Sequence, residues 1–388
     1  MGGLVYLDHA ATSHPKPPAV LAAVTRSLVA VGANAGRSGH RLAAEAARGI
    51  FAAREAVAAL LGVSDSRRVV FTANATEGLN AVLFGVLRPG DHVVSTALEH
   101  NAVGRPLAAL RARGVGETVV AADAQGRVDP GAVRAALTAR TRLVVVNHAS
   151  NVTGTIQPLA AIRAAIGRVP LLLDAAQTAG AVPLAVDADG VDFLACSGHK
   201  SLLGPQGTGV LVVPATAELP PLLYGGTGSR SESDEQPPFL PDRLEAGTRN
   251  GPGIAGLAAG VGWLQERGVA RLRAEEIGRF GAFLDGLRAI PRVRIVGPAG
   301  PEERTATVSV TVAGMTASEV GRALDRDHGV LCRVGLHCAP RAHRALGTFP
   351  GGTVRLAAGP FVTADELARA AAALAEVAGR GASAGARR

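Results

Sequence analysis

Of the 40 basic side chains only two are lysines, Lys16 and Lys200. That shortage narrows any amine chemistry, because an amine that must deprotonate and attack a carbonyl cannot be supplied by arginine. Lys16 lies between Pro15 and Pro17 with no strand end beside it. Lys200 instead closes the run Phe193-Leu194-Ala195-Cys196-Ser197-Gly198-His199-Lys200, where an apolar stretch gives way to Ser, Gly and His. A second apolar run, Leu171-Leu172-Leu173, ends in Asp174 with Gln177 three positions on. Alone, that carboxylate reads equally well as a helix cap. The segment Thr72-Ala73-Asn74-Ala75-Thr76-Glu77-Gly78 follows a strand and opens a helix, where free amides and the positive dipole end can hold a phosphate. Alone, such a segment is most often only a cap. A lysine for a Schiff base, a carboxylate for a pyridinium nitrogen and a helix N-terminus for a phosphate are together what pyridoxal 5'-phosphate requires. The three cysteines, Cys196, Cys332 and Cys338, include no CxxC pair, so neither a disulfide framework nor a metal site is expected and a cysteine that matters does so as a thiol.

These residues need a frame that ends strands together. Short apolar runs alternate with Ala/Leu/Arg stretches of helical spacing: Val69 to Thr72, His92 to Thr96, Thr118 to Ala121, Leu143 to Asn147, Leu171 to Asp174, Phe193 to Ser197 and Val210 to Val213. Near-continuous Val/Leu runs separated by helix-length segments predict an α/β fold with a parallel or mixed sheet covered on both faces. In such sheets ligands sit at the carboxyl ends of strands. After Asn250-Gly251-Pro252-Gly253 one long helical stretch toward Arg288, strands near 293–296, 308–312 and 354–357, and a helix from about Ala364 predict a smaller α/β domain. The small, basic tail from Gly379 is expected to fray.

At 388 residues, 47% hydrophobic and 19% charged, the chain reads as about two globular domains. No apolar run approaches the ~20 residues of a membrane span, so no membrane association is expected. The first residues lack a basic start and a long apolar stretch, so the expected location is cytoplasmic. A net charge of +8 is spread singly among Ala and Gly with 3% aromatics, which argues against a nucleic-acid partner.

The ordered segments Tyr6-Leu7-Asp8-His9-Ala10-Ala11-Thr12, Asn34-Ala35-Gly36-Arg37-Ser38-Gly39-His40, Ala75-Thr76-Glu77, Glu99-His100-Asn101, Ser150-Asn151-Val152-Thr153-Gly154, Asp174-Ala175-Ala176-Gln177, Ser197-Gly198-His199-Lys200, Glu245-Ala246-Gly247-Thr248 and Gly335-Leu336-His337-Cys338-Ala339 make the chain resemble class V aminotransferase-fold enzymes. Within that group it resembles the cysteine desulfurases and selenocysteine lyases. The resemblance implies the fold type I of pyridoxal-phosphate enzymes, with a large domain over 16–255 built on a seven-stranded, mainly parallel sheet. It further implies a small C-terminal α/β domain formed by 1–15 and 256–388. Lys200 would carry the cofactor, Asp174 would keep its ring nitrogen protonated, and Gln177 with Asn151 would bond its phenolate oxygen. His100 would stack on the ring and help move protons. Ala75, Thr76, Ser197 and His199 would hold the phosphate, completed by Thr248 of a neighbouring subunit in a homodimer. Arg355 would take the substrate carboxylate, with Asn34 and Arg37 lining the same pocket.

Desulfuration needs a nucleophile, and Cys338 is the candidate: it follows Arg333-Val334-Gly335-Leu336-His337, a loop context whose positive charge favours a thiolate. Cys196 and Cys332 sit in strand-like runs. Cys338 precedes Arg355 by 17 positions, a short interval similar to the type II enzymes, which often depend on a sulfur-acceptor protein. The resulting expectation is a pyridoxal-phosphate-dependent cysteine desulfurase that turns L-cysteine into L-alanine and holds a persulfide. Selenocysteine lysis, another class V reaction such as transamination or epimerisation, and a non-enzymatic sulfur-relay scaffold are the alternatives. Ala357, Val362 and Pro340 depart from the family pattern, which bears on substrate preference and acceptor docking.

Overall fold

The computed structural model describes residues 3–36 and 38–385. In chain order its strands are β1 (Val5–Tyr6), β2 (Val69–Thr72), β3 (His92–Thr96), β4 (Gly116–Val120), β5 (Thr141–Asn147), β6 (Leu171–Asp174), β7 (Phe193–Ser197), β8 (Gly209–Val212), β9 (Val293–Val296), β10 (Thr307–Val312), β11 (Val330–Leu331), β12 (Arg333–Gly335) and β13 (Thr353–Ala357). Its α-helices are α1 (Pro18–Arg26), α2 (Arg41–Leu61), α3 (Ala75–Val86), α4 (Asn101–Arg111), α5 (Pro130–Ala135), α6 (Leu159–Ile166), α7 (Gly251–Arg267), α8 (Val269–Arg288), α9 (Ala317–His328), α10 (Pro340–Ala345) and α11 (Ala364–Gly385).

Seven strands form one sheet in the order β2-β8-β7-β6-β5-β3-β4. Pairings from β7 across to β4 are parallel, whereas β8 runs antiparallel to both β2 and β7. The continuous apolar runs follow from two-sided burial. Val144, Val146, Leu173, Leu194 and Cys196 enter one core, and the alternate residues Leu143, Val145, Leu172, Phe193 and Ala195 enter the core on the other face. Helix α7 packs on α1 and α2 and contributes Ile254, Leu257 and Val261 to the first of these cores.

A second, antiparallel sheet has the order β12-β13-β10-β9 and shares a core with α8, α9 and α11. Strand β1 joins this part of the molecule: it pairs in parallel with β11, and Val5 and Leu7 are buried among Phe280, Leu284 and Leu324. The long helical stretch expected before Arg288 is two helices, split at Gly268, whose φ of 76° lies in the left-handed region open to glycine. The tail differs as well. α11 continues through Gly385 instead of fraying from Gly379, as its alanine-rich sequence favours. Among the described residues no helix is long and apolar enough to cross a membrane.

Candidate active site

Strands β5, β6 and β7 end in Asn147, Asp174 and Ser197, so their carboxyl ends bring polar side chains to one edge of an apolar sheet. There the first turns of α3 and α4 close a cavity lined by Ala75, Thr76, His100, Asn151, Asp174, Gln177, Ser197 and Lys200, with Asn147 and Ala176 beside them. Asn74 caps α3 by accepting from the Glu77 amide at 3.0 Å, and the Ser197 hydroxyl accepts from the Ala75 amide at 3.2 Å. Thr76 sits in the first turn, where backbone N–H groups have no intrahelical acceptor. That helix end can receive an anion.

Burial pushes the Lys200 amine down to about 8, with Arg355 and Arg333 acting in the same direction and Asp174 and Cys338 opposing them. A neutral amine is therefore within reach near neutral pH. Burial raises the Asp174 carboxyl, which accepts from the Ala176 amide at 2.9 Å and is relieved further by Lys200. It forms no ion pair among the described residues, an arrangement suited to a cationic nitrogen supplied by a ligand. Gln177 donates to the Ala10 carbonyl at 3.0 Å through Nε2, which leaves that amide a second N–H. His100 caps α4, its Nδ1 accepting from the Ala102 amide at 3.0 Å. Burial, helped by Lys200 and three arginines, lowers this imidazole to about 4. It is neutral near pH 7, and the hydrogen bond at Nδ1 assigns the ring proton to Nε2.

Cys338 is exposed and stands next to this cavity. Its carbonyl accepts from the Asn101 amide at 2.8 Å, and the Asn151 side chain donates to the His337 carbonyl at 2.7 Å. The Arg333 guanidinium donates to Cys338 Sγ at 3.5 Å. His337 and Cys338 both have left-handed backbone, with φ of 49° and 58°, a conformation that costs about 1–3 kcal/mol for a residue other than glycine. The tethers on either side hold it. Burial pushes the Cys196 and Cys332 thiols up to about 12, so neither presents a thiolate.

Other expected residues do not line the cavity. The side chain of His199 does not line it, and its Nδ1 is buried without a partner among the described residues. Arg355 is fully buried, donating to Asp8 Oδ1 at 2.6 Å and to the Asn151 carbonyl at 3.0 Å, while its Nε has no partner among the described residues. Asn34 and Thr248 are exposed and bonded to one another at 3.3 Å along a groove formed by α1, α2 and α7. Arg37 lies outside the described residues.

Sequence reasoning missed two acidic groups. Asp8 holds Arg355 across the chain. Glu99 is buried, its Oε1 accepting from the Thr96 hydroxyl at 2.7 Å and the Asn147 amide at 3.1 Å. Burial first, then Asp174, raises its carboxyl to about 8. Both stand inside quoted motif segments, and that was the signal available; their partners are remote in sequence.

Fold and cavity together define a class: the chain belongs to the class-V aminotransferase family, whose pattern, "Aminotransferase class-V", matches residues 5–369. Three relatives that it resembles within that family are described as cysteine desulfurases. A protein of Methanothermobacter thermautotrophicus named "Probable cysteine desulfurase" is 36% identical over 396 residues, covering 97% of this chain and 95% of its own. The apo structure of a cysteine desulfurase from Thermococcus onnurineus NA1 superposes with a TM-score of 0.90 at 30% identity, over 97% of this chain and 95% of that one. The Escherichia coli cysteine desulfurase CsdA, in its S-sulfonic acid form, gives a TM-score of 0.84 at 29% identity, with 96% and 94% covered.

Proposed function

We infer that this protein is a pyridoxal 5'-phosphate-dependent cysteine desulfurase, which converts L-cysteine to L-alanine and retains the sulfur as a persulfide on Cys338. The observation that carries this reading is a buried lysine amine, brought near neutrality, in a cavity beside which an exposed thiol is held on a loop tethered to Asn101 and Asn151.

The residues fit the cofactor. Asp174 is a buried carboxylate without a cation bonded to it, Gln177 has an N–H to spare, and Ala75, Thr76 and Ser197 surround a helix N-terminus. Asn151 Oδ1, on the cavity wall, is a buried polar atom without a partner among the described residues, which a bound ligand can satisfy. When bound, the cofactor supplies a carbonyl for the substrate amine and a ring that draws electrons from Cα. Lys200, unprotonated, accepts the Cα proton and returns one. His100 offers its Nε2–H as a proton donor. The Cys338 thiolate attacks the substrate sulfur: the Sγ–S bond forms as the Cβ–S bond breaks, its electron pair takes a proton, and alanine leaves. Arg355 is the partner for the substrate carboxylate, through exchange with Asp8.

Asn34 and Thr248, set apart from their own chain's cavity, suit a homodimer in which Thr248 completes the partner's phosphate site. Sedimentation at twice the 39.2 kDa chain mass tests it. We read 16–255 as the large domain and 1–15 with 256–388 as the small one, supported by the core that Val5 and Leu7 share with Phe280. The exposure of Cys338 leaves the persulfide open to a sulfur-acceptor protein, and free thiols at Cys196, Cys332 and Cys338 suit the cytoplasm.

Purified protein incubated with cysteine, selenocysteine and other amino acids, scored for alanine and protein persulfide, tests the reading. Alanine and persulfide in equal amounts from cysteine without a keto acid are expected. Amino-group transfer that requires a keto acid would overturn it.

A further inference from the structure

The loop that presents Lys200 is held from an unexpected side. The carbonyl of His199, one residue before the reactive lysine, accepts from the Ser13 amide at 3.0 Å, the Thr12 hydroxyl at 3.2 Å, the Ser13 hydroxyl at 3.1 Å and the Lys16 ammonium at 2.8 Å. Lys16 also donates to Ser13 Oγ at 2.6 Å. A peptide oxygen has two lone pairs, so four donors exceed what saturating one acceptor requires. Lys16 forms no ion pair with a carboxylate among the described residues, and taking an ammonium out of water for a carbonyl costs free energy that its own hydration would otherwise supply. That burial lowers the Lys16 amine to about 8. Lys16 is one of only two lysines in the chain.

We propose that Lys16 is a positioning residue for Lys200: with Thr12 and Ser13 it clamps the His199 carbonyl and so fixes the peptide that carries the reactive amine. The inference rests on the reading of Lys200 as the cofactor-bearing lysine. The clamp belongs to a strap, residues 8–16, that also pairs Asp8 with Arg355 and offers the Ala10 carbonyl to Gln177. The Tyr6 hydroxyl donates to the Thr12 carbonyl at 2.9 Å and pins the strap's turn. Asp8 serves the carboxylate-binding arginine, whereas Lys16 serves only the amine. Loss of Lys16 therefore bears on the chemical step and not on substrate capture, since a misplacement near 1 Å in a reacting group costs up to about a hundredfold in rate.

The test uses the holoenzyme and Lys16→Met, Lys16→Arg and Ser13→Ala. The visible circular dichroism of the bound chromophore reports how rigidly the Lys200 linkage holds it, independently of turnover. Lys16→Met is expected to weaken that band and lower kcat roughly ten- to a hundredfold, with KM and the far-UV spectrum unchanged, and Lys16→Arg to restore most of both. Wild-type visible dichroism and kcat in Lys16→Met overturn the inference, as does a loss that comes with raised KM and a matching fall in Tm. If Lys16→Met does not fold, Ser13→Ala decides: it is expected to weaken the same band, and an unchanged band overturns the clamp. A wild-type protein without a visible band, or one in which borohydride tags Lys16, overturns instead the reading of Lys200 on which the clamp rests.

Discussion

Three cysteines in very different surroundings make the division of labour in this site testable one residue at a time. Cys338→Ala leaves Lys200, Asp174 and His100 untouched, so the variant is expected to bind the cofactor and change its spectrum on addition of cysteine. It should accumulate no persulfide and release no alanine, measured by mass spectrometry and amino-acid analysis. Desulfuration at the wild-type rate would redirect attention to Cys332, whose burial argues against it. Asp174→Asn addresses the opposite wall. The native carboxylate is desolvated, a state that a cationic ring nitrogen relieves and a neutral amide cannot exploit. The variant is expected to lose cofactor on dialysis and roughly 10²–10³ in kcat, the usual effect of removing one preorganised electrostatic partner. Near-normal turnover would reduce Asp174 to its hydrogen bond with Ala176.

The elements that carry these residues are tuned by contacts a few ångströms behind them. Helix α10, just after Cys338, is anchored by Arg341, which donates to Glu117 at 2.6 Å and 3.3 Å while Ser95 donates to the same carboxylate. Glu117→Ala strips the buried acceptor and is expected to cost roughly 1–3 kcal/mol, seen in the Tm. Persulfide yield should fall while cofactor content is kept. At β8, a Cβ on Gly209 would lie 2.6 Å from the Asn74 backbone, the cap of α3. Gly209→Ala must therefore displace the proposed phosphate-binding turn, and cofactor should dissociate faster from a chain with unchanged far-UV dichroism. The strands themselves were legible in sequence because two-sided burial writes unbroken Val/Leu runs, and Asp174, Ser197 and Lys200 were legible as polar residues that end such runs. The braces were not. Arg341 and Glu117 are 224 positions apart, and Asp8 and Arg355 are 347 apart. Lys16 reaches a backbone carbonyl, an acceptor that every residue possesses and no side chain advertises. The break at Gly268 could be read only with hindsight, since a lone glycine in a helical pattern is usually tolerated.

Across the whole molecule, several imidazoles are buried in their neutral form. Burial lowers His9, His100, His148, His199 and His343 from 6.5 to about 4, and His337 to about 2. Between those values the unfolded chain binds more protons than the folded one, so stability is lost as pH falls from about 6.5 toward 4. Glu99 has the opposite sign: its folded value near 8 stabilises the protonated form and loses that contribution as pH rises through 8. The Tm is expected to be lower at pH 4.5 than at pH 6.5; a Tm that rises on acidification would contradict the neutral burial of these rings. The two ends of the described chain also meet. Strand β1 pairs with Val330–Leu331, the Leu7 carbonyl accepts from the Ala357 amide at 2.8 Å, and Asp8 is held by Arg355. On a ribosome the first of these segments emerges hundreds of residues before its partners. The large sheet can form while translation continues, yet the seat of Asp8, Arg355 and the Cys338 thiol are all supplied by the final stretch. If Arg355 and Cys338 act as proposed, a nascent or prematurely terminated polypeptide is expected to be chemically silent until the last strand arrives.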